Sequence, residues 1–316
     1  MTTYVFELLS SSELEALHFE FLKNLTTMDQ DDERRSHSAQ YFKWKLLQNQ
    51  AGSSYVCFAF DVNDGARQPH GCMTFTRKPS ATSNKLYELG DAYVAPVARG
   101  QKLFRKLLGH ALQGYGDGII YGTPNQAAWP TEKALGFATL PIGLHYRIWS
   151  LNIPLAVWQK LCKFSGWPDT QDTPVPQDVF QRCVGTPDDF LEKTQSYLEW
   201  RYLQAPDQYQ IIDLSSGAGT TLMVVRLFSW KGLRCIMLVD HVGPPLTFGQ
   251  WLLFWYKMRA SGGHFMFSML SYAAYERLGF AAKFSIKVRD NMFIIYPGDA
   301  KEIDFSLFKI GDGDNI

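Results

Sequence analysis

The chain states one pattern twice, and a fold that must accept the same pattern twice is the tightest restriction its sequence carries. Tyr41-Phe42-Lys43-Trp44-Lys45-Leu46-Leu47-Gln48 returns as Tyr197-Leu198-Glu199-Trp200-Arg201-Tyr202-Leu203-Gln204, with Tyr, Trp, Leu and Gln identical and a basic residue kept after Trp. Leu135-Gly136-Phe137 returns as Leu278-Gly279-Phe280, in the same order and at nearly the same offset. The spacing predicts a duplicated fold, with residues 1-150 forming one lobe and residues 151-316 the other. Each half then serves as a control for its twin. A chemical motif present in one copy bears on function more than on folding.

With 316 residues, 46% hydrophobic and 15% aromatic, the chain is long and apolar enough for two well-filled cores. Basic and acidic residues balance at 31 each, so no bulk field gathers nucleic acid or an anionic membrane, and neither is expected as a partner. Met1-Thr2-Thr3-Tyr4 has no leader pattern, and the apolar run from Trp251 to Tyr256 is too short to span a bilayer and reads as a buried helix. Cys57, Cys72, Cys162, Cys183 and Cys235 are scattered without a CxxC pair. They read as reduced core thiols, which suits a cytoplasmic protein and argues against zinc. The seven histidines show no metal spacing, so no metal is expected, and His241 and His264 read as structural. No GxSxG nucleophile elbow is present.

Periodicity predicts strands over 4–8, 55–60, 71–76, 87–94, 119–122 and 146–151 in the first half, with helices towards Leu25, around Trp44, over 103–112 and up to Leu135. Proline-bearing residues 165–177 read as a connection, and Thr186-Pro187-Asp188-Asp189 as a helix start. Strands over 209–214, 220–228, 233–239, 264–267 and 292–296, with a helix over 248–259, complete the second half. Each half is mixed α/β with a strand–helix–strand unit at its centre.

Chemistry concentrates in Asp91-Ala92-Tyr93-Val94-Ala95-Pro96-Val97-Ala98-Arg99-Gly100-Gln101-Lys102-Leu103-Phe104. A strand ends at Val94, a basic glycine-bearing loop follows, and a helix begins near Lys102. That order aims free backbone N–H groups and the positive helix end at one point, which suits a phosphate or pyrophosphate. Arg99 adds charge there, and Gly100 permits close backbone approach. Gly122-Thr123-Pro124-Asn125 follows the next strand and Leu135-Gly136-Phe137 the next helix. After Val239-Asp240-His241-Val242 the second copy reads Gly243-Pro244-Pro245, with no basic residue and two N–H donors removed. Only the first half is therefore expected to hold a nucleotide pyrophosphate.

On these residues the chain resembles the GNAT family of acyl-CoA-dependent N-acyltransferases. The strand into Val94-Ala95-Pro96, the Arg99-Gly100 loop, Pro124-Asn125 and Leu135-Gly136-Phe137 match the family in order and spacing over residues 87–137. The duplication resembles tandem-GNAT proteins, in which often one copy binds the thioester. The Trp-basic helices are similar to a two-lobed subgroup encoded with bacterial surface-polysaccharide genes, which points to an amino-sugar acceptor. The resemblance implies an α/β (α+β) fold of two tandem GNAT-like lobes, each a mixed, largely antiparallel twisted sheet flanked by helices.

It also implies that acetyl-CoA or another acyl-CoA binds the first half as co-substrate through Tyr93, Val94, Arg99, Gly100, Gln101, Lys102, Leu103, Phe104 and Asn125. The family's loop carries small residues where this chain has Lys102 and Phe104. The Lys102 ammonium therefore either joins the phosphate contacts or marks a different donor, such as an acyl carrier protein's thioester. Asp91 stands at the family's place for a base. The family's tyrosine acid is Tyr275 in the second copy, but its first-copy counterpart is Glu132, which acts as an acid only if burial raises its pKa. Asn125 either meets the CoA arm or caps a helix. Trp44 and Trp200, with Lys45 and Arg201, either brace the lobes or line a cleft that reads an acidic acceptor.

The resulting expectation is direct acyl transfer from acyl-CoA to the primary amine of a small molecule, such as an amino sugar or amino acid. The alternatives are a GNAT-like binding or scaffold protein without catalysis, favoured by Lys102 and Glu132, and an aminoacyl-tRNA-dependent transferase of the Fem kind, disfavoured by the zero net charge.

Overall fold

The computed structural model describes residues 3–27, 38–63, 67–82, 84–151, 180–181, 191–206, 209–214, 220–230, 232–279, 285–298, 300 and 303–309. The expected connection at 165–177, the helix start at Thr186, Cys162, Cys183 and Phe280 lie outside these residues.

The first half opens with β1 (Tyr4–Ser10), α1 (Ala16–Thr27) and α2 (Ala39–Phe42), which runs on as a π-turn through Lys43–Leu47. Strands β2 (Tyr55–Asp61), β3 (Pro69–Lys78) and β4 (Leu86–Val94) form an antiparallel meander whose centre is buried almost continuously. α3 (Leu103–Gly114) follows, placing Leu103, Leu107, Leu108 and Ala111 on one buried stripe against that sheet, as the helical period requires. β5 (Ile119–Gly122), α4 (Trp129–Ala134), β6 (Ala138–Thr139) and β7 (His145–Ser150) complete this half.

The second half repeats the plan. α5 (Gln195–Tyr202) answers α2, and β8 (Tyr209–Asp213), β9 (Leu222–Trp230) and β10 (Leu233–Val242) answer the meander. α6 (Phe248–Ala260) is started by a Thr247/Gln250 capping box, and β11 (Phe265–Leu270), α7 (Tyr272–Glu276), β12 (Ser285–Asp290) and β13 (Ile294–Tyr296) follow. The apolar run in α6 is half buried rather than buried throughout. Trp251 and Phe254 face the core, whereas Leu252, Leu253 and Tyr256 are exposed, because a helix on a sheet turns only one stripe inward.

Two strands leave their half. The first sheet runs β1-β2-β3-β4-β5-β13-β6 and the second β12-β7-β11-β10-β9-β8, so β13 fills the slot beside β5 while β7 fills the slot beside β11. Each exchanged strand is bonded on both sides, β13 by β5 and β6 and β7 by β11 and β12, which gives its backbone partners on either edge. The exchange carries Ile294 and Ile295 into the first sheet, both essentially inaccessible. Between the sheets lies a shared core in which Tyr121 stacks on Phe293 at 5.6 Å between ring centroids, with Leu86, Ile119, Met269, Phe305 and Phe308 around them. Cys57, Cys72 and Cys235 are buried free thiols, and burial pushes Cys57 up to about 12. Among the described residues no helix is long and apolar enough to cross a membrane.

Candidate active site

A sheet that opens in its middle makes a site. β4 and β5 pair in parallel only over Leu86–Glu88 and Ile119–Tyr121, and β5 then stops at Gly122 while β4 continues to Val94. In the same stretch β4 bulges against β3, with the register shifting between Cys72 and Thr74. Asp91 sits in the bulge at a left-handed φ of 44°. The separation opens a cleft of about 1480 Å³ lined by Asp91–Val94, Arg99, Phe104, Asn125 and Glu132 of the first half and by Met269 and Arg289–Phe293 of the second. The strand exchange is what brings the second group there.

The loop after β4 forms a short 3₁₀ turn, Pro96–Ala98, before α3. Gly100 has φ 80° and Lys102 φ 60°, so Lys102 takes the left-handed conformation that a glycine adopts without strain. This explains the family's small residue at that point: the backbone demands it. The Lys102 side chain turns away from the cleft, into a shallow depression with Arg105, Lys106 and His110. The first N–H groups of α3 have no intrahelical acceptors, as at any helix start, and no N-cap side chain takes them up. Arg99 donates through Nε to the Val94 carbonyl at 3.1 Å and packs over the Tyr93 ring at 5.7 Å, which fixes an exposed guanidinium at the cleft's edge. Gln101 donates to the Val97 carbonyl at 3.3 Å, outside the cleft lining. Leu103 is a core residue, whereas Phe104 reaches the cleft.

Asp91 is engaged rather than available. Its Oδ2 accepts from Lys45 Nζ at 2.5 Å and from Thr74 Oγ1 at 2.9 Å, and the Asp91 and Lys45 side chains are 2% and 0% exposed. A carboxylate ion-paired to a buried ammonium is a poor proton acceptor. Lys45, Trp44, Trp200 and Arg201 do not line the cleft: they are buried, with the two indoles stacked on each other.

Glu132 meets the condition set by the sequence. Helix α4 buries it to 3% exposure against the cleft, Oε2 has no hydrogen-bond partner, and desolvation pushes its carboxyl up to about 7. Asn125 caps: its Oδ1 accepts from the Ala127 and Ala128 N–H groups at 3.0 and 2.9 Å, while the residue stays exposed along the cleft. Tyr275 lies away from the cleft, packed on the second half's core beneath Arg147, whose guanidinium sits 3.4 Å from the ring centroid.

Two cleft pairs escaped sequence reading. His145 Nδ1 lies 2.6 Å from Asp290 Oδ1, and Arg289 stacks on Tyr146 at 4.2 Å. Arg289 and Asp290 end β12, an edge strand exposed along nearly all its length, in which Ile286 and Val288 alternate with Ser285, Lys287 and Arg289; that alternation signals a strand, but nothing in it names β7 as the partner that brings Asp290 to His145.

The matching place in the second half is closed. Asp240, on the bulged β10, is fully buried and accepts from Lys193 at 2.8 Å and Tyr202 at 2.8 Å, with Lys309 3.3 Å away. Gly243 packs against the Thr220 backbone so tightly that a Cβ would stand 2.3 Å from its carbonyl oxygen. Among the described residues no cluster of His, Cys, Asp or Glu is placed to hold a metal.

Sequence comparison with protein-family models and with curated proteins finds no match. Solved structures do match. A tandem GNAT protein from the clavulanic acid biosynthesis pathway superimposes with a TM-score of 0.60 at 14% identity, over 95% of this chain and 100% of that one. A GCN5-related N-acetyltransferase from Anabaena variabilis gives 0.57 at 12% identity, over 92% and 72%. The N-myristoyltransferase of Saccharomyces cerevisiae with bound myristoyl-CoA gives 0.55 at 11%, over 92% and 82%. With a parallel strand pair at the centre of each half and the two halves in one architecture, the chain has the tandem-GNAT fold.

Proposed function

We propose that the protein is an acyl-CoA-dependent N-acyltransferase whose donor binds the first half and whose acceptor is the primary amine of a small molecule, with an amino sugar or amino acid as the leading class and the cytoplasm as the place of action. The observation that carries this reading is the conjunction, in one cleft, of the opened β4 edge, the Arg99 loop and a neutral-leaning buried acid, Glu132. The uncapped start of α3 and the Arg99 guanidinium suit the pyrophosphate of a CoA ester. The β4 backbone beyond Glu88, released from β5, offers N–H groups to the pantetheine arm and to the thioester carbonyl. Glu132, whose carboxyl burial pushes up to about 7, serves as proton donor to the departing thiolate.

A donor-free binding protein is the second reading, and the engagement of Asp91 by Lys45 favours it. Titration of acetyl-CoA and longer acyl-CoAs by calorimetry separates the two. Micromolar binding, weakened about tenfold or more in Arg99→Ala, supports the acyltransferase. No binding by any CoA ester overturns it and turns attention to carrier-protein donors.

A further inference from the structure

The cleft holds a titratable pair, one member from each half, that the reading above leaves without a task. His145 opens β7, the exchanged strand, and Asp290 closes its antiparallel neighbour β12, with their Cα atoms in register. The His145 side chain is 16% exposed and the Asp290 side chain 69%, so the imidazole is sheltered while the carboxylate stands at the mouth. Lys287 Nζ holds that carboxylate from its own strand at 2.6 Å, and the Lys287 hydrogen bond, with the nearby imidazole, keeps Asp290 below the usual carboxylate range. Arg289 is drawn aside onto Tyr146, and β11 sets the aliphatic Leu270 opposite His145. Tyr272 of α7 lies beside Gly143. Gly143 lines the cleft at φ 62°, and the Nε2 edge of the imidazole faces it: a Cβ there would stand 3.8 Å from Nε2. The carboxylate sits close to Nδ1 but off its N–H direction, so the pairing acts chiefly through charge.

We propose that His145, set by Asp290 across the β7–β12 pair, is the base that takes the proton of the acceptor ammonium. The inference rests on the acyltransferase reading. Asp91 is engaged by Lys45 and Thr74, which leaves the cleft without its expected carboxylate base. A carboxylate beside Nδ1 favours the tautomer protonated there and leaves the Nε2 lone pair to act. Asp290 at the mouth also attracts a cationic acceptor. In the step, Nε2 takes one proton from R–NH₃⁺, and the freed lone pair forms the N–C bond to the thioester carbonyl as the C–S bond breaks. The nitrogen sheds a second proton, the thiolate gains one from Glu132, and the net release is one proton per amide formed.

His145→Gln and Asp290→Asn test this in two measurements. In the first, thiol release from acetyl-CoA is followed with a panel of primary amines across pH. His145→Gln is expected to lower kcat about 100-fold, to keep the KM for acetyl-CoA within about twofold and to lose the acidic limb of the profile, with a smaller loss in Asp290→Asn. An unchanged kcat or an unchanged acidic limb in His145→Gln overturns the proposal. The second measurement needs no acceptor: nitrogen NMR of histidine-labelled protein is expected to show the neutral ring protonated on Nδ1, with the proton moving towards Nε2 in Asp290→Asn. A neutral His145 carrying its proton on Nε2 in the unchanged chain overturns it. Acetyl-CoA binding in the same samples keeps the two readings apart, since its absence defeats the acyltransferase and not the tautomer assignment.

Discussion

Trp44 and Trp200 stack on each other with ring centroids 4.9 Å apart and planes 20° from parallel, and each indole N–H donates to the other residue's carbonyl, at 2.9 and 3.3 Å. The repeated residue of the sequence is thus the point where the two copies meet, each indole bonded to the other copy's backbone. Both rings are essentially inaccessible, so truncation leaves a large void and an unpaired carbonyl. Trp200→Ala is expected to cost about 3–5 kcal/mol and Trp200→Phe less, measured by guanidinium unfolding. Acyl-CoA binding by the folded fraction should be unchanged, because neither ring lines the cleft.

Asp91 and Lys45 form a buried pair whose two members fail together. Asp91→Asn strands an ammonium with no exposure and is expected to destabilise by about 3–5 kcal/mol. Adding Lys45→Met to Asp91→Asn should recover most of that loss, and the double-mutant cycle reads the coupling directly. If Asp91 were the base instead, the double variant would regain stability while losing acyl transfer.

Glu132 makes stability depend on pH in an unusual direction. Its ordinary value is 4.5 and burial raises it to about 7. Between those values the unfolded chain has lost the proton and the folded chain keeps it, so stability falls as pH climbs from 4.5 and the loss is complete once the pH passes the folded value near 7. Glu132→Gln removes that loss. Unfolding curves should coincide near the unfolded value and separate above the folded one, with the variant ahead by on the order of 3 kcal/mol, while thiol release slows about 100-fold.

Lys102 holds a left-handed backbone that costs a non-glycine residue about 1 kcal/mol. Lys102→Gly is expected to raise the melting temperature by a few degrees on relief of that strain. Because the side chain points away from the cleft, acyl-CoA affinity should hold or improve a few-fold by calorimetry. A tenfold loss would mean that the ammonium reaches the phosphates after all.

The exchanged strands tie the two sheets into one folding unit. Ile294→Ala, in the strand that the second half lends to the first sheet, is expected to cost about 2–5 kcal/mol. The loss should appear in a single unfolding transition, detected equally by tryptophans of both halves. Two separate transitions would show that the halves fold independently.

Much of this architecture is written locally. The meander of β2–β4, the apolar stripe of α3 and the loop from Val94 to Lys102 follow from periodicity, turn residues and helix-start chemistry within a few dozen residues, and the structure places them where that reading puts them. Glu132 was legible as a candidate from its motif position, and only its burial needed the fold. The repeat of Trp44 at Trp200 announced duplication, yet left open whether the rings brace or bind.

What the sequence by itself determined is the set of elements, their order and their repetition, because hydrophobic period and backbone chemistry act between near neighbours. Which half receives β7 and β13, that Lys45 neutralises Asp91, and that His145 meets Asp290 beside the cleft were decided only in the tertiary structure. Strand pairing is chosen by which sheet edge lies open and which faces bury together. A partner more than a hundred residues away leaves no trace in a residue's own neighbourhood, and the alternation of Ile286 and Val288 in β12 marks a strand without naming the edge it joins.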